Sequence, residues 1–92
     1  MNLNEEQLKE VETMAGLFFS PEKIGIALEL DLHEVDEFKE IIKSDPSNPI
    51  YKAYHKGDLT TEVELRAAIK QSALNGSNPA QNTMLNFREQ TL

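Results

Sequence analysis

Cysteine is absent from the 92 residues, which excludes a disulfide-stapled scaffold, thiol catalysis and any zinc site built on thiolates. Long apolar runs are absent as well. No stretch approaches the ~20 residues a membrane span needs, and the acidic start does not read as a secretory signal. An intracellular, cytoplasmic location with no membrane partner is the expectation. Glycine-rich phosphate loops, a serine elbow and a spaced histidine pair are also missing. His33 beside Glu34, Asp36 and Glu37 is the nearest approach to a metal cluster, and one histidine among adjacent acids is a weak ligand set. A non-catalytic protein without cofactor, metal or small-molecule substrate is therefore expected.

Basic residues are scarce. Nine Lys and Arg stand against sixteen Asp and Glu, a formal charge of −7. The imbalance is local: residues 1–19 carry −3, residues 20–45 carry −5 and residues 46–92 carry +1. Duplex DNA ordinarily requires a basic footprint, because phosphate contacts supply much of the affinity. Hydrophobic residues at 39% and charged residues at 27% nevertheless suit a folded domain. A single helical domain over 1–92 fits this length, with modest stability unless it self-associates.

What is present reads as helix throughout. Asn4 and Gln7 have capping-box spacing, with Leu3 and Leu8 at the hydrophobic-staple positions. Leu8, Val11, Ala15 and Phe18 then recur on one face, and Phe18-Phe19 supply bulk suited to a core. Ser20-Pro21 is a cap followed by proline at the first helical position, and Ile24, Ala27 and Leu28 form a short apolar stripe. Asp31 and Glu34 repeat the capping box, after which Val35, Phe38 and Ile41 or Ile42 face inward. Asp45-Pro46-Ser47-Asn48-Pro49 ends that helix.

Residues 48–92 form the C-terminal helices. Pro49–Leu74 reads either as one helix or as two, with Thr61 and Glu64 capping the second. Glycine costs about 1 kcal/mol in a helix interior, so the balance favours a break or kink at Gly57-Asp58. Asn75-Gly76-Ser77-Asn78-Pro79 closes this stretch and caps a last helix, in which Ala80, Met84 and Phe87 can pack. No segment alternates as a half-buried strand would. The fold class is all-α, a small bundle of about five helices.

Residues 20–44 carry the most specific pattern. A helix-turn-helix needs a small residue at the crossing, an apolar residue in the turn and two anchors three apart on its second helix. Gly25, Leu30, Val35 and Phe38 meet those needs, supported by Ile24 and Leu28. Glu29 stands where glycine is common, so a left-handed backbone there would be costly. A generic helical corner has the same spacing and stays open. The outward face of the second helix shows His33, Glu34, Asp36, Glu37, Lys39, Glu40 and Lys43, whose four acids oppose phosphate. A solvated acidic face, or one that docks a basic protein partner, are the competing readings. Lys52, His55 and Lys56 lie on neighbouring helical positions beside Tyr51, and Arg66 and Lys70 form a second basic pair. Lys52 and Lys56 are candidates for phosphate.

Taken in order, the chain resembles the small subunit of a tailed-phage DNA-packaging terminase. The resemblance is carried by Ser20-Pro21-Glu22-Lys23-Ile24-Gly25-Ile26-Ala27-Leu28-Glu29-Leu30-Asp31 through Val35 and Phe38. It continues in Asn48-Pro49-Ile50-Tyr51-Lys52-Ala53-Tyr54-His55-Lys56-Gly57, a proline-started segment opening a long helix. Ala67 to Asn82, followed by Met84-Leu85, is similar to the family's pattern of helix, glycine-containing turn and final helix. The resemblance implies a DNA-engaging helix-turn-helix, assembly into a homo-oligomeric ring and regulation of the ATP-driven large subunit. Double-stranded DNA, the terminase large subunit and further copies of the chain are the implied partners. Residues 32–43 would be the recognition helix, with His33, Lys39 and Lys43 as polar contacts. The acidic recognition face departs from that family, and no long oligomerisation region follows Leu92, as in a truncated or atypical member. The alternative is a small acidic interaction module that keeps the helix-turn-helix only as a scaffold.

Overall fold

Local capping sets where each helix begins. The Asn4 carboxamide accepts from the Gln7 amide at 2.8 Å while the Gln7 side chain accepts from the Asn4 amide, so a reciprocal box opens α1 (Glu5–Gly16). Ser20 caps α2 (Pro21–Ala27) through the Lys23 amide. Asp31 and Glu34 form a second full box at the start of α3 (Leu32–Ser44). Asn48 Oδ1 accepts from the Ile50 amide at 2.9 Å ahead of α4 (Pro49–Leu74), and Ser77 caps α5 (Asn78–Thr91) through the Ala80 amide. This computed structural model describes residues 1–91; Leu92, the end of the 48–92 segment, lies outside them. The protein is all-α with five helices, and no strand occurs among the described residues.

Three of the helices end in the same way. After α1 the Phe18 amide donates to the Ala15 carbonyl and the Phe19 amide to that of Met14. After α2, Glu29 and Leu30 donate to Ile26 and Gly25; after α4, Gly76 and Ser77 donate to Ala73 and Ser72. Each is a Schellman closure, which requires a left-handed residue just past the cap. Gly76 takes that conformation at φ 97° without steric cost, whereas Phe18 (φ 62°) and Glu29 (φ 60°) do so despite their side chains. The αL turn also explains a correction. Phe18 and Phe19, expected in the core, project outward, and Phe18 is 55% exposed.

The chain divides into two compact units, Met1–Thr61 and Glu62–Leu92. In the first, Val11 and Ala15 of α1, Ile24 and Leu28 at α2, Phe38 and Ile42 of α3 and Ile50 of α4 form one buried cluster. Leu3, Leu8, Leu30, Ile41 and Tyr54 pack around it, half-buried. In the second unit the last turns of α4 and α5 form a helical hairpin. Arg66 stands over the Phe87 ring at 3.8 Å while its guanidinium donates to Glu62, and the Gln81 amide donates to the Ala73 carbonyl across the turn. None of the described residues of this hairpin is buried.

The break expected at Gly57-Asp58 is absent, since α4 runs unbroken from Pro49 to Leu74. Gly57 answers a tertiary need. It is buried, and a Cβ there would overlap the Glu12 carbonyl oxygen of α1. One turn further along, Thr61 does not cap a new helix. Its hydroxyl donates to the Gly16 carbonyl at 2.6 Å and so satisfies an open end of α1. His55 Nε2 lies 2.9 Å from the Ile42 carbonyl, serving the end of α3 in the same manner.

Candidate functional site

The helix-turn-helix-like unit is positioned by its crossing. Gly25 of α2 lies under Val35 of α3, where a Cβ would meet the valine Cγ2 at 3.0 Å. Leu30 in the turn packs against the core cluster to which Ile24, Leu28 and Phe38 belong. All six residues assigned to this scaffold (Ile24, Gly25, Leu28, Leu30, Val35, Phe38) are buried or half-buried. Val35 occupies the staple position to Leu30, which fixes the angle at which the chain enters α3.

All five candidate DNA contacts are at the surface. His33, Lys43 and Lys52 are exposed, in the first turn of α3, the last turn of α3 and the first turn of α4. Lys39 is also exposed, but its ammonium donates to Glu22 of α2 at 2.8 Å. Their mutual hydrogen bond, then their charges, lower the Glu22 carboxyl below its ordinary value and raise the Lys39 ammonium above its own. Lys56 sits 3.5 Å from Glu12 of α1. Two of the five candidates are thus turned towards carboxylates on other helices. Sequence spacing could not show this, because Glu22 and Lys39 are 17 positions apart. His55 is drawn into structure: its ring lies 4.1 Å from that of Tyr51 and edge-on to Tyr54, next to the Ile42 carbonyl it serves.

Two side chains that sequence reasoning passed over change the character of this face. Ile26 is 70% exposed and Leu32 is 87% exposed. With Val35 they line a shallow groove of about 360 Å³ between α2 and α3, whose polar margin is Glu22, Asp36 and Lys39. The signal for Ile26 was available: it lies two residues from both Ile24 and Leu28, about 200° around the helix from either. A second groove, of similar volume, lies where α1 meets α4 and is lined by Gly16, Gly57, Thr13, Thr60 and Thr61. Its Thr60 and Thr61 hydroxyls already donate to backbone carbonyls.

No buried side-chain nitrogen or oxygen among the described residues lacks a hydrogen-bond partner. Among those residues no group of His, Asp and Glu is arranged to hold a metal ion, and no helix is long and apolar enough to cross a membrane. Comparison with protein-family models, with curated proteins and with solved structures gave no match.

Proposed function

We propose that this chain is a non-catalytic component of phage DNA packaging, similar to a terminase small subunit, that engages viral DNA or regulates the large ATPase and nuclease subunit. The observation that carries this reading is the α2–α3 crossing, with Gly25 under Val35 and Leu30 turned inward. A long proline-started helix and a glycine-turned hairpin follow it, in the order on which the family resemblance rests. Of the five candidate contacts, His33, Lys43 and Lys52 are exposed and form no ion pair among the described residues. The hairpin, which buries none of its described residues, is suited to contacts between copies.

A second reading is an acidic protein-interaction module that uses the same scaffold without binding DNA. The Lys39–Glu22 and Lys56–Glu12 pairs favour it, since they turn two candidate phosphate contacts towards carboxylates. One titration separates the two. A labelled nonspecific duplex is followed by anisotropy at about 50 mM and then about 200 mM salt. Binding that weakens steeply with salt is the outcome expected of a DNA-engaging packaging protein. No binding at low salt removes the DNA arm. The regulatory arm then stands or falls on whether the protein changes ATP hydrolysis by a phage packaging ATPase.

A further inference from the structure

We propose that the α2–α3 groove is a docking site for a basic, amphipathic segment of a partner protein, received between the apolar centre at Ile26, Leu32 and Val35 and the acids around it. This inference goes beyond the packaging reading and does not depend on it.

Val35 serves the fold through Gly25 and Leu30, but Ile26 and Leu32 do not. Leu32 stands at the first position of α3, where the capping box needs only Asp31 and Glu34 and the staple only Leu30 and Val35. A leucine there gains nothing from the core and remains almost wholly in water. Ile26 shares that state on the facing helix, and a groove joins the two. Apolar side chains paired across a groove offer anchors to a helical segment with apolar residues at i, i+3 and i+4.

Charge decides which occupant fits. Residues 20–45 carry eight acids and three lysines, and Glu22 and Asp36 lie in the groove margin itself. Duplex DNA meets repulsion there, and its phosphates have no use for leucine and isoleucine. A second copy of the first unit is no better matched, since residues 1–61 carry thirteen acids against six lysines. A segment rich in Lys or Arg is attracted by the same field and steered to the site. Lys39 does not oppose it strongly, because Glu22 holds it in an exposed pair that an incoming cation can displace.

The test uses the full chain and a labelled leucine–lysine peptide whose leucines follow helical spacing, with a scrambled peptide of the same composition and a polylysine of the same charge as controls. Saturable binding of the patterned peptide is expected, about tenfold tighter than either control. The Ile26→Ser, Leu32→Ser double variant should weaken it about tenfold while keeping the helical circular dichroism and melting temperature, because both side chains are exposed. Asp36→Lys should weaken it further and flatten its salt dependence. Failure of the patterned peptide to bind, equal binding of the controls, or an unchanged affinity in the double variant would each overturn the proposal. Loss of duplex binding in the double variant, with peptide binding intact, would assign the face to DNA instead. Absence of duplex binding together with a packaging ATPase that ignores the protein would sink the packaging reading and leave this result untouched.

Discussion

The two units of the chain solve opposite problems. Residues 1–61 hold the seven buried apolar side chains found among the described residues and carry thirteen acids against six lysines. Residues 62–92 carry three acids and three bases, and none of those described is buried. The first unit stabilises itself by burial and carries a net charge of −7. Among its described residues the second has no such core, and its sequence supplies neither a disulfide nor a net charge. A segment of that size ordinarily needs an external staple or an association to be stable. Burial among the described residues is therefore concentrated in one unit, and balanced charge in the other.

The sharpest way to break this comparison is to truncate one phenylalanine in each unit. Phe38→Ala removes the largest fully buried side chain and should cost about 3–5 kcal/mol in urea unfolding. Phe87→Ala should cost about 1 kcal/mol, since the ring is half-buried and loses chiefly its contact with Arg66. Equal losses would mean that the hairpin belongs to the same cooperative core.

Gly57→Ala comes next. A methyl group there runs into the Glu12 backbone, and overpacking of this kind costs about 1–3 kcal/mol. Alanine's better helix propensity returns about 1 kcal/mol, so a net loss of about 1 kcal/mol, and at most about 2 kcal/mol, is expected from thermal or urea melts. A stabilised variant would show that the α1–α4 approach is not as tight as described.

The left-handed turn residues supply a smaller, signed contrast. Glu29→Gly should stabilise the first unit by about 1 kcal/mol by relieving an αL side chain. Gly76→Ala should destabilise the hairpin turn by a similar amount, although open space surrounds it, because its φ of 97° suits only glycine. Hydrogen exchange at the adjoining helix ends reads both. Gains or losses of the same sign would contradict the conformational account.

The smallest effect is alkaline. Burial, and then the Asp58 carboxylate, hold the Tyr54 phenol above its ordinary value of 10.0. The folded state keeps a proton that the unfolded chain has released, so this contribution is complete below pH 10 and lost as pH rises through the folded value. Tyr54→Phe should flatten the decline of stability above pH 10. An unchanged alkaline limb would mean that other groups control it.

How far the sequence could be read depended on the distance between partners. Both capping boxes and the prolines after Ser20 and Asn48 were legible because the groups involved lie within three residues of each other. The inward positions of Ile24, Leu28, Val35 and Phe38 followed from helical periodicity and the need for a small Gly25 between them. Gly57 was misread as a break because its reason lies in another helix, against Glu12. Phe18 was misassigned inward because periodicity does not register the left-handed turn that redirects it. At the candidate site, the acidity of α3 was plain from the sequence. The pairing of Lys39 and Lys56 with distant carboxylates was not, and neither was the groove that Ile26 and Leu32 share.

The hydroxyl that completes α1 also bears on how the chain is made. Gly16 waits for Thr61, which lies 45 residues downstream, and Ile42 waits for His55. On a ribosome, synthesis proceeds from the amino end and folding follows emergence. The Gly16 carbonyl stays hydrated while α2, α3 and the start of α4 are added. A nascent chain stopped short of Thr61 would hold α1, α2, α3 and the start of α4 with that carbonyl still open to water. The earliest helix to be synthesised is thus among the last to be finished.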